Sequence, residues 1–420
     1  MSEITEPIML DSTGKLLVEA LARQNLLISQ LVDSANATPA ITLAEIHRIV
    51  QAGEAPDTFG IGDQIMVNYN DGTNSYVLPW DIVHFENVEL QDGETVPGMI
   101  IQSHYGMQAV QFDQNEGFFV VPSGGLEAGT YNFTIGNNWG TNVVKDKVYQ
   151  FTTTEDYAEG DIWQLGKADS EISALPDTSP SNWRVRTYKA SASVSASMQA
   201  SPEETLELSE GSSGTSLGTL SSSTVYGTTG LNNMQRSAYG YNRWSQSAIR
   251  QFLNSSAAAG AWWTPKNPYD RRPAELASMR GFMAGFDQAF LNIIRPVKVT
   301  TLLNTITDSG IGTSENTYDT FFLASLEQEY IEKQAAGEGD YWEYWKQRLG
   351  LTSPQATGSG GTNPNHIRYS YSAQTTAVAC RLRSANRGSA NSAWYVNTSG
   401  SANNSHATYS NRPAPSCVIC

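Results

Sequence analysis

Cys417 and Cys420 are the residues with the most distinct chemical potential, because a two-residue gap between thiols suits a metal or a redox pair. No second cysteine pair accompanies them, and Pro415 and Ile419 beside them read as a closing strand, so structural thiols are expected. The five histidines, His47, His84, His104, His366 and His406, show no H-x-x-x-H or H-E-x-x-H spacing, which leaves zinc hydrolysis without ligands. There is no G-x-S-x-G elbow and no Walker A loop. Asp71 and Asp92 each precede a glycine in a turn, where backbone preference explains them better than calcium binding does. The run Asp340-Tyr-Trp-Glu-Tyr-Trp345 offers either rings to stack a sugar or a core-facing helix stripe, and the second reading is favoured. No catalytic set, cofactor site or metal site is expected.

The chain has 420 residues, enough for two or three domains, and a net charge of −16. Phosphate contact needs a basic footprint, so a nucleic-acid partner is excluded. Charged residues make up only 16% of the chain, leaving Ser, Thr, Asn, Gln and Gly to form much of the polar surface. All three cysteines fall at or after Cys380, which fits folding in a reducing compartment. The first residues lack the pattern of a secretory signal, and no apolar run is long enough for a membrane span.

Residues 384–411 follow a different rule, containing no Lys, Glu, Gln or Met. Free mutation of the adenines in an Asn codon reaches only residues with pyrimidine-ending codons, and it cannot produce Lys, Glu, Gln, Met or Trp. Every residue here except Trp394 belongs to the reachable set. An ordinary polar loop would share the bias toward Ser, Asn and Gly.

The elements that must position these residues are read from periodicity. Leu17, Leu21, Gln24, Ile28 and Leu31 form a short helical seam, and Thr42-Leu-Ala-Glu45 is a capping box opening a second helix through about Ala52. Between Phe59 and Leu165 the pattern is of short strands. Hairpins are expected at Asn70-Asp-Gly-Thr73 and Gln91-Asp-Gly-Glu94, with both central turn residues at positive φ. Ser/Gly-rich residues 166–220 read as a linker with the first strands of a following domain. Helices are expected over Trp244–Asn254 and Gly285–Ile294, and short strands alternate with turns from Ala377 onward.

Three stretches at the C-terminal end carry a family resemblance: Ala379-Cys-Arg-Leu-Arg-Ser-Ala-Asn386, Ala393-Trp-Tyr-Val-Asn-Thr-Ser-Gly400 and Asn411-Arg-Pro-Ala-Pro-Ser-Cys-Val-Ile419. With Tyr241-Asn-Arg-Trp-Ser-Gln246, Trp263-Thr-Pro-Lys266 and Gly281-Phe-Met-Ala-Gly-Phe286 upstream, the chain resembles the diversity-generating-retroelement variable proteins of the C-type lectin fold. These are related to phage major tropism determinants and to the formylglycine-generating-enzyme branch of that fold. The resemblance covers about 220–420.

Together with the helical and strand patterns that precede it, the resemblance leads to an expected α+β protein: an N-terminal helical attachment and oligomerisation segment (1–55), a β-sandwich or jelly-roll-like domain (56–165), a linker with first strands (166–220) and a C-type lectin-like ligand-binding domain (221–420) with variable region 384–411. It implies a phage virion receptor-binding protein on the particle surface, a homotrimer without enzymatic activity. Its partners would be other virion proteins and a bacterial surface protein or glycan. The implied variable contact residues are Gly388, Ala390, Ser392, Tyr395, Ser399, Ala402, Ser405, His406, Ala407, Thr408, Tyr409 and Ser410, with Leu382, Trp394, Val396, Pro413 and Val418 as scaffold.

Two departures stand out: Arg381 replaces a core Trp of the family, and Ala385 replaces a Pro. Neither the calcium-dependent sugar motifs of animal lectins nor the catalytic cysteines of the enzyme branch are matched. The rival expectations are a fixed carbohydrate-binding module using Trp342 and Trp345, and a formylglycine-generating-type enzyme.

Overall fold

Thr42 opens the first helix as the capping box predicts, with the Glu45 amide donating to its hydroxyl, and the helix runs Leu43–Gln51. This is a computed structural model that describes residues 41–138, 143–167, 183–190, 202–224 and 230–420. The helical seam at 17–31 lies outside the described residues. No helix among those described is long and apolar enough to cross a membrane.

The protein is β-rich, with several sheets. Gln64–Asn70 and Ser75–Glu89 pair as the first expected hairpin, and Ser75–Glu89 then pairs with Thr95–Ser103 as the second. The turn chemistry differs from the expectation. Only Gly72 takes a positive φ (100°), while the Asp71 carboxylate accepts from the amides of Thr73 and Asn74. Four residues, 71–74, separate the paired ends Asn70 and Ser75, so the loop closes on the aspartate rather than on a two-residue mirror-image turn.

This sheet is completed from the far end of the chain. Pro415–Ile419 pairs antiparallel with Thr95–Ser103 on one side and with Phe322–Leu323 on the other. A second five-stranded sheet has the order Ala402–His406, Ser392–Val396, Cys380–Ala385, Ser410–Pro413, Val110–Gln111. Sequence segments and sheets therefore do not coincide: strands from 64–111 sit in the same sheets as strands from 380–419.

Two four-stranded sheets share another core. One holds Glu204–Glu207, Trp183–Tyr188, Ile162–Lys167 and Phe119–Val120, and the other holds Ser209–Glu210, Val148–Thr152, Thr130–Ile135 and Thr215–Leu220. Phe118, Phe133, Phe151, Trp163, Trp183 and Val185 pack together between them. The Ser/Gly-rich residues of 204–220 pair backwards onto this sandwich, with Thr215–Leu220 running parallel to Thr130–Ile135. Thr205–Leu208 reads as a strand in the sequence and overlaps Glu204–Glu207, whereas Thr215–Leu220 is concealed because most of its residues face solvent.

The helix expected over 244–254 is broken by its own cap. Trp244–Gln246 is a 3₁₀ turn, and Ser247 then accepts from the Arg250 amide to start the helix Ala248–Leu253. The next helix shrinks to Gln288–Leu291 for the same reason, with Asp287 as its cap.

Candidate functional site

Among the expected contact residues, the exposed ones lie in turns or at the start of a strand. Tyr409, Ser410, Gly388 and Ser399 are exposed, and Tyr395, Ser405 and His406 are half-buried. Ala390, Ser392, Ala402, Ala407 and Thr408 are buried, so their side chains offer no open face. The scaffold positions Leu382, Trp394, Val396, Pro413 and Val418 are all buried.

The register sets which side chains of the strand pair share a face. Ser392–Val396 pairs with Ala402–His406, placing Tyr395 opposite Asn403 and Ala393 opposite Ser405 on one face. On the other, Trp394 lies opposite Asn404 and donates to Gln334 Oε1. Ala402–His406 is an edge strand. At its end the His406 ring stacks on Tyr239, with centroids 3.8 Å apart, and Tyr409 stands edge-on to His406 at 5.2 Å. Gly388 and Ser399 lie in the turns at opposite ends of this strand pair, whose five-residue strands each span about 13 Å.

Arg381 is the residue whose role the sequence left in doubt. It is wholly buried and donates to the main-chain carbonyls of Ala393, Ser405, His406 and Tyr409, as well as to the Ser405 hydroxyl. Among the described residues no carboxylate faces it, and burial pulls its guanidinium down to about 9. Partial burial, with Arg381 nearby, lowers the His406 pKa.

Other residues outside the segment hold it in the same way. The Asn242 amide donates to the carbonyls of Asn386, Ser389 and Ser392, Gln111 to that of Thr408, and Gln355 to that of Gly400. Thr305 caps the carbonyl of Arg387, and the Asp113 amide reaches that of Ala407. These bonds end on backbone, so they survive a change of side chain at the carbonyl's own residue.

The remaining candidates from the sequence lie elsewhere. Trp342 and Trp345 are 0% exposed and present no ring to a sugar. Burial pushes the Cys417 thiol well above its ordinary value and Cys420 up to about 11, neither of which favours a thiolate. His104 pairs with Asp81, His366 with Glu329 and Gln355, and His47 with the carbonyl of Cys420. The Asp71 carboxylate is occupied by its own turn and by the Tyr371 hydroxyl. Clefts lined by Tyr76, Arg280 and Phe286, and by Val88, Lys298 and Gln328, include no residue of 384–411.

Sequence reasoning missed one cluster. Asp113, Glu116 and Asp270 are buried together, each with a carboxylate oxygen within 4.8 Å of the others. More than 150 residues separate Asp270 from the other two, so no local spacing announces it. Glu116 is held by the Arg236 fork at 2.7 Å to each oxygen, by Asn232 at 2.8 Å and by Asn267 at 3.0 Å. Desolvation and mutual repulsion raise the pKa of both Asp113 and Asp270.

Residues 219–419 match the family model described as Domain of unknown function (DUF6273). No curated protein and no solved structure matches the chain. The DUF6273 match includes the whole of 384–411 and Arg381. It leaves out Thr95–Ser103 and Val110–Gln111, which pair with the matched strands Pro415–Ile419 and Ser410–Pro413.

Proposed function

We propose that this chain is a phage virion receptor-binding protein, carried on the particle surface as a homotrimer attached to other virion proteins. Its retroelement-diversified segment 384–411, on a C-type lectin fold, binds a bacterial surface protein or glycan. The observation that carries the reading is how 386–409 is held. Arg381, Asn242, Gln111, Thr305 and Gln355 grip its carbonyls, so the exposed side chains are free to vary while the backbone stays in place.

The composition of the segment supports the same reading, since its residues fit a mutational route from Asn codons. Tyr395, Tyr409 and His406 supply large, stiff contact area, while Ser405 and Ser410 adapt their hydrogen bonds, a division of labour shared with antibody loops. A trimer presents three such faces, and weak single contacts then add when several engage one surface.

The test uses the full chain, because strands outside the DUF6273 match complete both sheets. Labelled protein is incubated with a panel of candidate host bacteria and their surface fractions. Saturable binding to some strains, competed by the unlabelled chain, is expected. Binding to none, while a particle carrying the protein still adsorbs through another component, overturns the reading.

A further inference from the structure

The buried carboxylates described above have one oxygen that the protein leaves unsatisfied. Among the described residues Asp113, 3% exposed, makes no ion pair, and its Oδ2 accepts no hydrogen bond. Its carboxylate faces those of Glu116 and Asp270 across less than 5 Å. An unpaired carboxylate oxygen in a dry interior is costly, and like charges at that range repel strongly. Neighbouring groups are already committed. Glu116 is engaged by Arg236, Asn232 and Asn267, and the Asp270 oxygens accept from the Lys266 and Asn267 amides and from Asn267 Nδ2.

We propose that Asp113, Asp270 and Glu116 bind a hard divalent cation, calcium, with Asp113 as the essential ligand. The donor set is all oxygen, with no His or Cys, which disfavours zinc. Magnesium keeps several waters in a strict octahedron, whereas calcium accepts irregular sets of protein oxygens. The site is a structural one. Asp113 follows the strand Val110–Gln111 and donates its amide to Ala407, while Glu116 is locked to Arg236 on the helix Met234–Tyr239. That helix carries the Tyr239 ring on which His406 stacks. A cation here ties together the two elements that back the end of the edge strand. The inference does not depend on which ligand that strand binds, because it is read by metal content alone.

The full chain is stripped with EGTA and dialysed into metal-free buffer. Calorimetric titration with calcium is expected to show one equivalent bound per chain. Melting temperature is expected to rise by about 2 °C or more with excess calcium. Asp113→Asn keeps the shape and is expected to lose both the bound equivalent and the calcium-dependent rise. If that variant does not fold, terbium luminescence on the unmodified chain decides, with emission expected on binding and quenched by added calcium. The proposal is overturned if the stripped chain binds no calcium and melts at the same temperature with and without it. It is equally overturned if Asp113→Asn binds calcium undiminished, which places the ion elsewhere. A stripped chain that binds nothing and is stabilised by Asp113→Asn would show that a proton, not a cation, satisfies Asp113.

Discussion

Glu116→Gln tests the buried pair that anchors the helix behind the candidate face. Glu116 and Arg236 are both 0% exposed, and the glutamate oxygens together accept four hydrogen bonds. A glutamine fits the same space but brings an NH₂ group to where two donors already point. Either Arg236 Nε and Asn232, or Arg236 Nη2 and Asn267, would then face a donor. Removing one partner of a buried pair costs about 3–5 kcal/mol, because the other charge is left buried and unpaired. Asp113 and Asp270 lie close enough to supply part of the missing countercharge, which sets the expectation at the lower end, about 3 kcal/mol. Urea unfolding of the full chain in metal-free buffer, followed by tryptophan fluorescence, should show the midpoint fall with the slope unchanged. A loss below about 1 kcal/mol would refute the reasoning, since it would mean that the pair is already compensated by its surroundings.

Three further outcomes are expected. Arg381→Ala removes the donor to four carbonyls and opens a cavity, so stability should fall by about 3 kcal/mol or more, with new protease sensitivity inside 386–409. Tyr409 is 53% exposed, so Tyr409→Ala should shift stability by less than about 0.5 kcal/mol while weakening binding to a recognised bacterial surface by about tenfold or more, measured by cell-binding titration. Burial lowers the His366 pKa below its ordinary 6.5, so its stabilising contribution is present above that pH. As pH falls further, the unfolded chain takes up a proton that the native ring resists. The stability gap between wild type and His366→Gln should therefore narrow from about pH 7.5 to about pH 5, measured by urea midpoints.

The parts of this fold that were legible in the sequence are those that local chemistry decides. Asp71-Gly72 and Asp92-Gly93 announced two hairpins, and Thr42 with Glu45 announced a helix start. Trp244, Ala248, Phe252 and Leu253 are all buried, although Ser247 breaks the helix expected over Trp244–Asn254. What stayed hidden depends on distant partners. Nothing near Pro415–Ile419 says that it lies between Thr95–Ser103 and Phe322–Leu323, and nothing near Val110 says that it pairs with Asn411. The site divides along the same line. The unusual composition of 384–411 is visible by inspection, yet which of its residues are exposed depends on where its turns fall and what packs on its strands, which the composition does not encode. Arg381 read as a defect because its partners are carbonyls, which every residue has and no motif records.

The placement of Pro415–Ile419 also bears on how the protein is made. This strand is an interior member of its sheet, so the sheet beginning at Gln64 stays split until residues beyond 414 have emerged from the ribosome. Until then Thr95–Ser103 presents an open edge, which favours aggregation or chaperone capture. A stop codon or frameshift anywhere in 384–411 would remove the strand altogether. Such a chain would leave the Thr95–Ser103 edge uncovered and would lose its candidate binding face. Folding itself thus depends on that segment being read through in frame.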